Sequence, residues 1–314
     1  MNVKIFYDND VTRPIYINLS YKSGILGFCE DGLSVAMRFI PLLFLLLPIL
    51  CFAFEPLNTD DAGTVPKGKN QIEMYYYRAT SHGGESLDTV DISTPGEEYF
   101  GNQDAKAFPF TYTRGLSDTV EASIGTTYFM TPAGQYSPFT NNVISMKWRF
   151  AEDENRSWAL AVKPTLTLPG SSQQQVHGLG LALPNYGVNF IGSKYWDQIE
   201  VHVNASYERT PYNTNYQIGF SSVPNRLNIF FLSVAPVWTV AQGVRLALDT
   251  GFTTNPQSNQ QNLSNYALLA IIVSPFDNLD IGLSYLRSAA NMGIVISNSG
   301  SYSSRSEIGF TWRF

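Results

Sequence analysis

Apolar and polar residues alternate one by one along much of the chain, most regularly at its C-terminal end. The last eight residues read Glu307-Ile308-Gly309-Phe310-Thr311-Trp312-Arg313-Phe314. A period of two places apolar side chains on one face of a β-strand and polar side chains on the other. The pattern therefore predicts an amphipathic β-strand that ends at Phe314.

The same alternation recurs between turn signals and predicts twelve β-strands. The predicted strands are roughly Asn70–Ala79, Lys106–Arg114, Thr119–Phe129, Asn142–Ala151, Ser157–Leu168, Leu183–Trp196, Ile199–Arg209, Arg226–Val240, Val244–Thr254, Asn265–Pro275, Leu279–Ala289 and Ser303–Phe314. The segments around Phe230 and Leu268 are apolar on both faces, so the pattern leaves their register open. An even number of antiparallel strands is typical of single-chain bacterial outer-membrane barrels.

Connections of two lengths separate the predicted strands. Five tight turns fall at 115–118, 152–156, 197–198, 241–243 and 277–278. Six long connections rich in Gly, Ser and Asn fall at 80–105, 131–141, 169–180, 210–225, 255–264 and 290–302. The layout predicts an all-β fold, a transmembrane antiparallel up-and-down β-barrel of about 12 strands with periplasmic N- and C-termini.

Aromatic residues divide between the two predicted rims. All five tryptophans lie within a few residues of a short turn or of the C-terminus: Trp148, Trp158, Trp196, Trp238 and Trp312. Indole rings favour the lipid headgroup level, so we expect a tryptophan belt at the short-turn rim. A second belt is predicted near the long connections, from Tyr77, Tyr128, Tyr207 and Tyr285.

Both ends of the chain indicate export to the outer membrane. The apolar stretch 39–50 follows Arg38 and precedes Cys51-Phe52-Ala53, the pattern of a secretory signal peptide. We expect translation to start at Met37, residues 1–36 to be upstream sequence translated in error, residues 37–53 to be the signal peptide and residues 54–314 to form the barrel. An alternative makes Cys51 a lipid-modified cysteine, but the bulky Leu50 precedes it. The strand ending at Phe314 resembles the signal by which outer-membrane barrels are recognised by their assembly machinery.

Composition excludes several classes of protein. Charged residues make up 15% of the chain, against about 25% in soluble domains. A net charge of −6 without a basic cluster argues against a nucleic-acid partner. Both cysteines, Cys29 and Cys51, precede residue 54, so the mature protein has neither a disulfide nor a cysteine metal site. Together with the amphipathic strands and the aromatic belts, this predicts outer-membrane lipid and a small solute as partners, and no nucleic acid.

Ionisable residues on the predicted inner face carry both signs. The candidates for lining the lumen are Glu73, Glu121, Lys147, Arg149, Lys163, Glu200, His202, Glu208, Arg245, Asp249, Glu307 and Arg313. A strongly ion-selective pore would show rings of one sign, so the mixture predicts salt bridges across the lumen or a narrow path for neutral solutes. His202 also raises an alternative, an outer-membrane phospholipase-like hydrolase, although Ser206 on the same strand has no nucleophile motif around it.

The segment before the first strand carries a family resemblance. It reads Thr59-Asp60-Asp61-Ala62-Gly63, then Lys67-Gly68-Lys69-Asn70-Gln71-Ile72-Glu73. This opening resembles that of the meta-pathway phenol-degradation proteins, and the resemblance implies a transporter-like outer-membrane barrel. Residues 59–63 are predicted to form a turn or an Asx-type cap that shapes the periplasmic rim. Two adjacent carboxylates, Asp60 and Asp61, are a weak calcium signal, so no metal site is assigned.

The sequence thus predicts a passive outer-membrane channel for small apolar or aromatic compounds, with no enzymatic activity and no cofactor. Candidate aromatic residues at the outer mouth are Tyr136, Phe139, Tyr212, Tyr216 and Phe220. Their rings could hold an aromatic solute by stacking, or could pack the loops against one another. The remaining alternative is a soluble ligand-binding β-barrel.

Overall fold

The computed structural model describes residues 56–82, 105–131, 133–176, 179, 183–210, 226–254, 263–289 and 302–314. Residues Cys51–Phe314 form one compact unit. Every described residue belongs to this unit.

The alternating segments of the described chain form twelve strands that close into one antiparallel barrel. The strands are β1 (Asn70–His82), β2 (Ala105–Gly115), β3 (Val120–Thr131), β4 (Phe139–Glu152), β5 (Trp158–Leu168), β6 (Asn185–Tyr195), β7 (Ile199–Arg209), β8 (Asn228–Ala241), β9 (Val244–Thr254), β10 (Leu263–Phe276), β11 (Leu279–Ala289) and β12 (Tyr302–Arg313). Each strand pairs with its neighbours in sequence, and β1 pairs with β12, so no strand edge is left free. The predicted all-β fold, an antiparallel up-and-down barrel of twelve strands, is confirmed, and β7, β9 and β11 have the predicted bounds.

Short turns lie at one end of the barrel and long connections at the other. The turns cover 116–119, 153–157, 196–198, 242–243 and 277–278. At the same end β1 begins beside the end of β12, where Asn70 and Phe314 exchange two backbone hydrogen bonds of 2.8 and 3.0 Å. One connection carries the helix α1 (Ser172–Val176). Among the described residues, none of the helical structure is long and apolar enough to cross a bilayer.

The barrel exposes its large apolar side chains on the outside. On β12, Ile308 and Trp312 are exposed on the outer face, as is Phe314 directly after it, while Thr311 is fully buried on the inner face. A soluble protein would bury the apolar face, whereas a membrane barrel turns it to lipid. All five tryptophans are exposed near the short-turn rim, as predicted.

One member of the predicted tyrosine belt points the other way. Tyr128 and Tyr285 are exposed on the outer face, but Tyr77 is buried, with 6% of its surface exposed. The parity of β1 explains this, because Tyr77 is four residues from Glu73 and shares its inward face. The placement of Tyr77 in the lipid-facing belt is therefore wrong.

The inner faces of β8 and β10 form an apolar wall. Phe231 and Leu268 are buried inside, whereas Phe230 and Leu269 are exposed outside, which settles the register that the sequence left open. Leu57, from the segment before β1, packs against this wall. Elsewhere the inner face carries many buried polar and charged side chains, among them Lys147, Asn204 and Glu307.

Candidate functional site

The residues before β1 run inside the barrel. We call residues 56–69 the lumen segment. Its Thr59 contacts Asp249 on β9, its Ala62 contacts Ser193 on β6, and its Val65 contacts Glu121 on β3. These strands stand on different sides of the barrel, so the lumen segment crosses the interior from mid-height to the short-turn rim. The expectation that residues 59–63 shape only the rim is corrected by these contacts.

Asp249 is the deepest anchor of the lumen segment. Its carboxylate is fully buried in the apolar wall. Its Oδ2 accepts the backbone N–H groups of Asn58 at 2.6 Å and Thr59 at 2.8 Å. Its Oδ1 accepts the hydroxyl of Tyr266 at 2.7 Å and lies 2.7 Å from the Thr59 hydroxyl. These hydrogen bonds satisfy a carboxylate that would otherwise be very costly to bury.

A cluster of ion pairs joins the lumen segment to the opposite wall. Asp60 lies 3.1 Å from Lys147 Nζ and 2.8 Å from Lys163 Nζ. Lys147 Nζ also lies 3.3 Å from Glu121 Oε1 and donates to the backbone carbonyl of Asp61 at 3.2 Å. Burial alone would raise the pKa of Asp60, but the two ammonium groups outweigh it and hold the pKa below its ordinary value.

Asp61 has a different environment from its neighbour. Its Oδ1 accepts the N–H of Gly63 at 2.6 Å, which is the predicted Asx-type turn. Burial raises the pKa of the Asp61 carboxyl, an effect that Lys147 offsets only in part. In the described part of the chain, no group of three or more His, Cys, Asp or Glu side chains could hold a metal ion.

His202 forms a hydrogen bond with a serine that the sequence did not single out. Ser193, on the neighbouring strand β6, has its Oγ 2.8 Å from His202 Nδ1, and Glu200 Oε2 lies 3.5 Å from His202 Nε2. These three residue types also form hydrolase triads. Here the Ser193 hydroxyl accepts the N–H of Ala62 at 2.9 Å, and both Ser193 and His202 are buried. The arrangement fastens the lumen segment, and neither Ser193 nor His202 lines the cavity of about 300 Å³ described below.

An apolar cluster closes part of the lumen at the long-connection end. Leu179 is fully buried and packs in one cluster with Tyr77, Phe129 and the alanines of β1 and β2. Gln174 of α1 holds the connection in place by donating to the backbone carbonyls of Ser137 and Phe139 at 2.7 and 2.9 Å. Leu179, in the connection between β5 and β6, therefore narrows the lumen at the long-connection end. The lumen segment narrows it between mid-height and the short-turn rim.

A cavity of about 300 Å³ remains between the lumen segment and the polar wall. Its lining is rich in hydroxyl and amide groups, among them Thr126, Thr165, Asn189 and Ser206. Leu57, Asn58, Thr59 and Asp60 of the lumen segment form one side of it. A small solute in the cavity would therefore meet hydroxyl and amide groups as well as apolar side chains such as Leu57 and Phe231.

The twelve candidate lumen residues all lie on the inner face of their strands, by the parity of the buried positions. Several meet at the short-turn rim, where Arg245 and Arg313 lie 3.4 and 2.6 Å from Asp280 Oδ2, and Arg149 lies 3.3 Å from Glu152. Glu307 pairs with Arg305 at 3.4 Å. Salt bridges within the lumen were one of the two arrangements expected from the mixed charges.

Sequence reasoning missed Asp280, Arg305 and Ser193 as interior residues. The alternation on β12 could have identified Arg305, which has the same parity as Glu307. Arg305 donates to the Asn58 side chain at 3.0 Å and so also holds the lumen segment. Ser193 had no local signal, because its role depends on Ala62, 131 residues away.

The aromatic candidates for the outer mouth do not assemble as predicted. Phe139 is the first residue of β4, and its ring contacts Tyr128 on the outer face at 5.1 Å between centroids. Phe139 therefore faces outwards and does not line the outer mouth of the lumen, contrary to the prediction from the sequence. Tyr136 is half-buried against the apolar cluster around Leu179. Tyr212, Tyr216 and Phe220 lie outside the described residues.

The fold resembles a known channel. A COG4313 outer membrane channel from Pseudomonas putida F1 aligns with 81% of this chain and 98% of its own, with a TM-score of 0.56 at 13% identity. The NanC and KdgM porins align with 76% and 77% of this chain and 98% and 99% of theirs, at 11% and 9% identity. Both have a TM-score of 0.47, so the assignment of the fold does not depend on them.

At this level of identity the likeness concerns the fold alone. The chain has the fold of an outer-membrane channel barrel, which agrees with the apolar exterior described above. No protein-family profile and no curated protein matches the sequence. The resemblance of residues 59–73 to the meta-pathway phenol-degradation proteins is therefore not confirmed.

Proposed function

We propose that the protein is a passive channel of the bacterial outer membrane for small polar solutes, kept narrow by the lumen segment. The observation that carries this proposal is the cavity of about 300 Å³ between the lumen segment and a wall of hydroxyl and amide groups. The interior of a twelve-stranded barrel is wider than that of an eight-stranded barrel, which side chains fill. It is narrower than that of a sixteen-stranded porin, which is open to water. What passes therefore depends on the groups inside.

We propose a polar solute, rather than the apolar or aromatic one expected from the sequence, because of the hydroxyl and amide groups in the cavity lining. Apolar or aromatic cargo was expected from aromatic side chains at the outer mouth, yet Phe139 faces outward and Tyr136 is engaged in packing. Hydroxyl and amide groups give a polar solute the hydrogen bonds it loses on leaving water. A polar solute is for this reason the better match to the described cavity.

Swelling of proteoliposomes tests the channel directly. Vesicles containing the purified protein should swell faster in glycerol than lipid-only vesicles, because glycerol fits the cavity and its hydroxyl groups match the lining. Toluene-like aromatic compounds should gain much less from the protein. Equal rates with and without the protein for every solute would contradict the proposal.

The hydrolase alternative makes a separate prediction around His202. His202→Ala removes the hydrogen-bond partner of Ser193, which holds the lumen segment, so glycerol swelling should stay the same or rise. No phospholipid or ester hydrolysis should be detectable in either protein. Hydrolysis that disappears in both His202→Ala and Ser193→Ala would instead establish the enzyme.

Export and assembly complete the proposal. We infer that residues 37–53 direct export, that the mature protein starts at residue 54, and that β1 begins and β12 ends on the periplasmic side. Phe314 lies on the outer face with its ring 4.7 Å from that of Trp312. This exposed aromatic end is suited to contact the barrel assembly machinery, and Phe314→Ala should lower the amount of folded barrel recovered from the outer membrane.

A further inference from the structure

The outer face of the barrel changes character from one sector to the next at the long-connection end. On β3, β4 and β5, large apolar side chains remain exposed up to this end: Met130, Phe139 and Leu168. On β1 and β2, the outward positions near the same end are instead Arg78 and Lys106. Charged residues on the lipid face of a membrane barrel are costly in the middle of the bilayer and tolerated near the headgroups. The two cations therefore mark a sector that meets lipid differently from β3 to β5.

Arg78 and Lys106 lie directly opposite each other on paired strands. Both point outwards, because Ala79 and Ala107, which follow them in sequence, are buried on the inner face. Side chains in this position have Cβ atoms about 5 Å apart, and like charges there repel and destabilise the pair. An anion held between the two side chains would replace this repulsion by two attractions.

Hydroxyl groups and a third cation extend this surface across β12 to β11. Arg78 lies opposite Ser306 of β12, and the next outward pair is Thr80 and Ser304, whose hydroxyl oxygens are 2.9 Å apart. Ser304 in turn lies opposite Arg287 of β11, an outward residue between two buried ones. We call these residues, with Lys106, the basic patch. Guanidinium, ammonium and hydroxyl groups are donors that bind phosphate oxygens.

The basic patch lies at the height of the lipid headgroups. Tyr76 and Phe108 are the next outward residues from Arg78 and Lys106 towards the middle of the barrel, and their ring centroids are 5.0 Å apart. Aromatic rings on a lipid face collect at the boundary between hydrocarbon and headgroups. Two residues of a strand span about 7 Å, so the cations lie about that much further from the bilayer centre.

The described carboxylates are placed away from the basic patch. Each described Asp and Glu lies in the lumen or at the short-turn rim. The described outer face at the long-connection end is therefore positively charged, which is complementary to a negatively charged headgroup.

We propose that the basic patch binds the phosphate group of an anionic membrane lipid, in the leaflet at the long-connection end. Arg78 and Lys106 hold the phosphate between them, and Arg287 and the hydroxyl groups contact it from the β12 side. The acyl chains then lie along Tyr76 and Phe108. The site is on the outside of the barrel, so it goes beyond the proposed function and does not depend on what the lumen carries.

Native mass spectrometry of the purified protein in a neutral detergent tests the site. The probe is dioleoyl phosphatidic acid, and dioleoyl phosphatidylcholine has the same acyl chains without net charge. The wild type should bind phosphatidic acid more tightly than phosphatidylcholine. Arg78→Gln/Lys106→Gln should weaken binding of phosphatidic acid by about tenfold or more, because each basic side chain at a headgroup contributes about fivefold. Binding of phosphatidylcholine should stay unchanged.

Arg114→Gln/Arg209→Gln is the matched control. It removes the same charge from two arginines near opposite ends of the barrel, which donate to the side chains of Asn70 and Asn228. Its affinity for phosphatidic acid should equal that of the wild type. Unheated gel migration shows that each variant forms a folded barrel. Arg287→Gln, on the other side of the patch, should lower the affinity by about fivefold and tests the site independently of the double variant.

Three results would overturn the inference. The first is equal affinity for phosphatidic acid in the wild type and in both variants of the basic patch. The second is an equal loss in Arg78→Gln/Lys106→Gln and the matched control. The third is displacement of phosphatidic acid by inorganic phosphate at the same concentration, which would make a free anion the occupant instead of a lipid.

Discussion

Asp249 is the single residue on which the position of the lumen segment depends most. It accepts the backbone N–H groups of Asn58 and Thr59, and an asparagine there would turn an N–H group towards one of these donors. Asp249→Asn should therefore loosen the lumen segment by about 1–3 kcal/mol. Hydrogen exchange at residues 57–63 should become faster, while the strands remain protected.

The matched control for this variant is Asp277→Asn, in an exposed turn. It makes the same chemical change without touching the lumen segment, so exchange at residues 57–63 should equal that of the wild type. Equal exchange in Asp249→Asn and the wild type would show that Asp249 is not an anchor.

The sequence predicts correctly which face of the barrel many individual side chains occupy. Parity along the strands places charged residues such as Glu73, Lys147 and Asp249 inside, because the period of a strand is fixed by its backbone. Parity fails at a bulge. Asn141 has a φ of 53°, and two residues of β4 oppose one of β3 there, which sets the face of Phe139. A bulge inside a regular pattern has no clear signal in one sequence.

On the inner face of the barrel, a large side chain of one strand packs against a glycine of the neighbouring strand. The Tyr266 ring of β10 lies over Gly251 of β9, where a Cβ would be 2.5 Å from the carbonyl of Leu232 and 2.9 Å from Tyr266 Cε1. Gly251→Ala should therefore force the ring or the backbone to move, at a cost of about 1–3 kcal/mol. The folded fraction seen on unheated gels should fall at a lower urea concentration.

Gly192→Ala serves as the control within a strand. A Cβ at Gly192 would meet its nearest atom, Leu160 Cδ2, at an ordinary 3.5 Å. This variant should unfold close to the wild-type urea concentration. If Gly251→Ala unfolds at the same urea concentration as Gly192→Ala, the close packing of Tyr266 on β9 does not contribute to stability.

The strands and the lumen segment differ in how well the sequence predicts them. A strand such as β7 is recognisable because Val201, Val203 and Ala205 alternate with His202 and Asn204. The lumen segment has no period, and its position comes from contacts with residues 56 to 247 positions away, such as Glu121, Asp249 and Arg305. Residues 59–63 were recognised as a turn, but not as a segment inside the barrel.

For the whole molecule, the orientation in the membrane is testable by labelling. Gln135 is exposed in the connection between β3 and β4, and Gln242 is exposed in the turn between β8 and β9. On intact cells, an impermeant thiol reagent should modify Gln135→Cys and leave Gln242→Cys unmodified. Both should react after the cells are opened. Labelling of Gln242→Cys alone on intact cells would reverse the orientation.

The central claim is that the lumen segment narrows a passive channel. Single-channel conductance in planar bilayers tests it most directly, with wild type compared with the double variant Asp60→Asn/Asp249→Asn. The double variant weakens the segment's contacts to both walls and leaves the inner surface of the strands otherwise unchanged. We expect its conductance to exceed that of the wild type by roughly twofold or more, because the lumen of a twelve-stranded barrel is set by what fills it. Equal conductance in the two proteins, with both folded, would contradict the account.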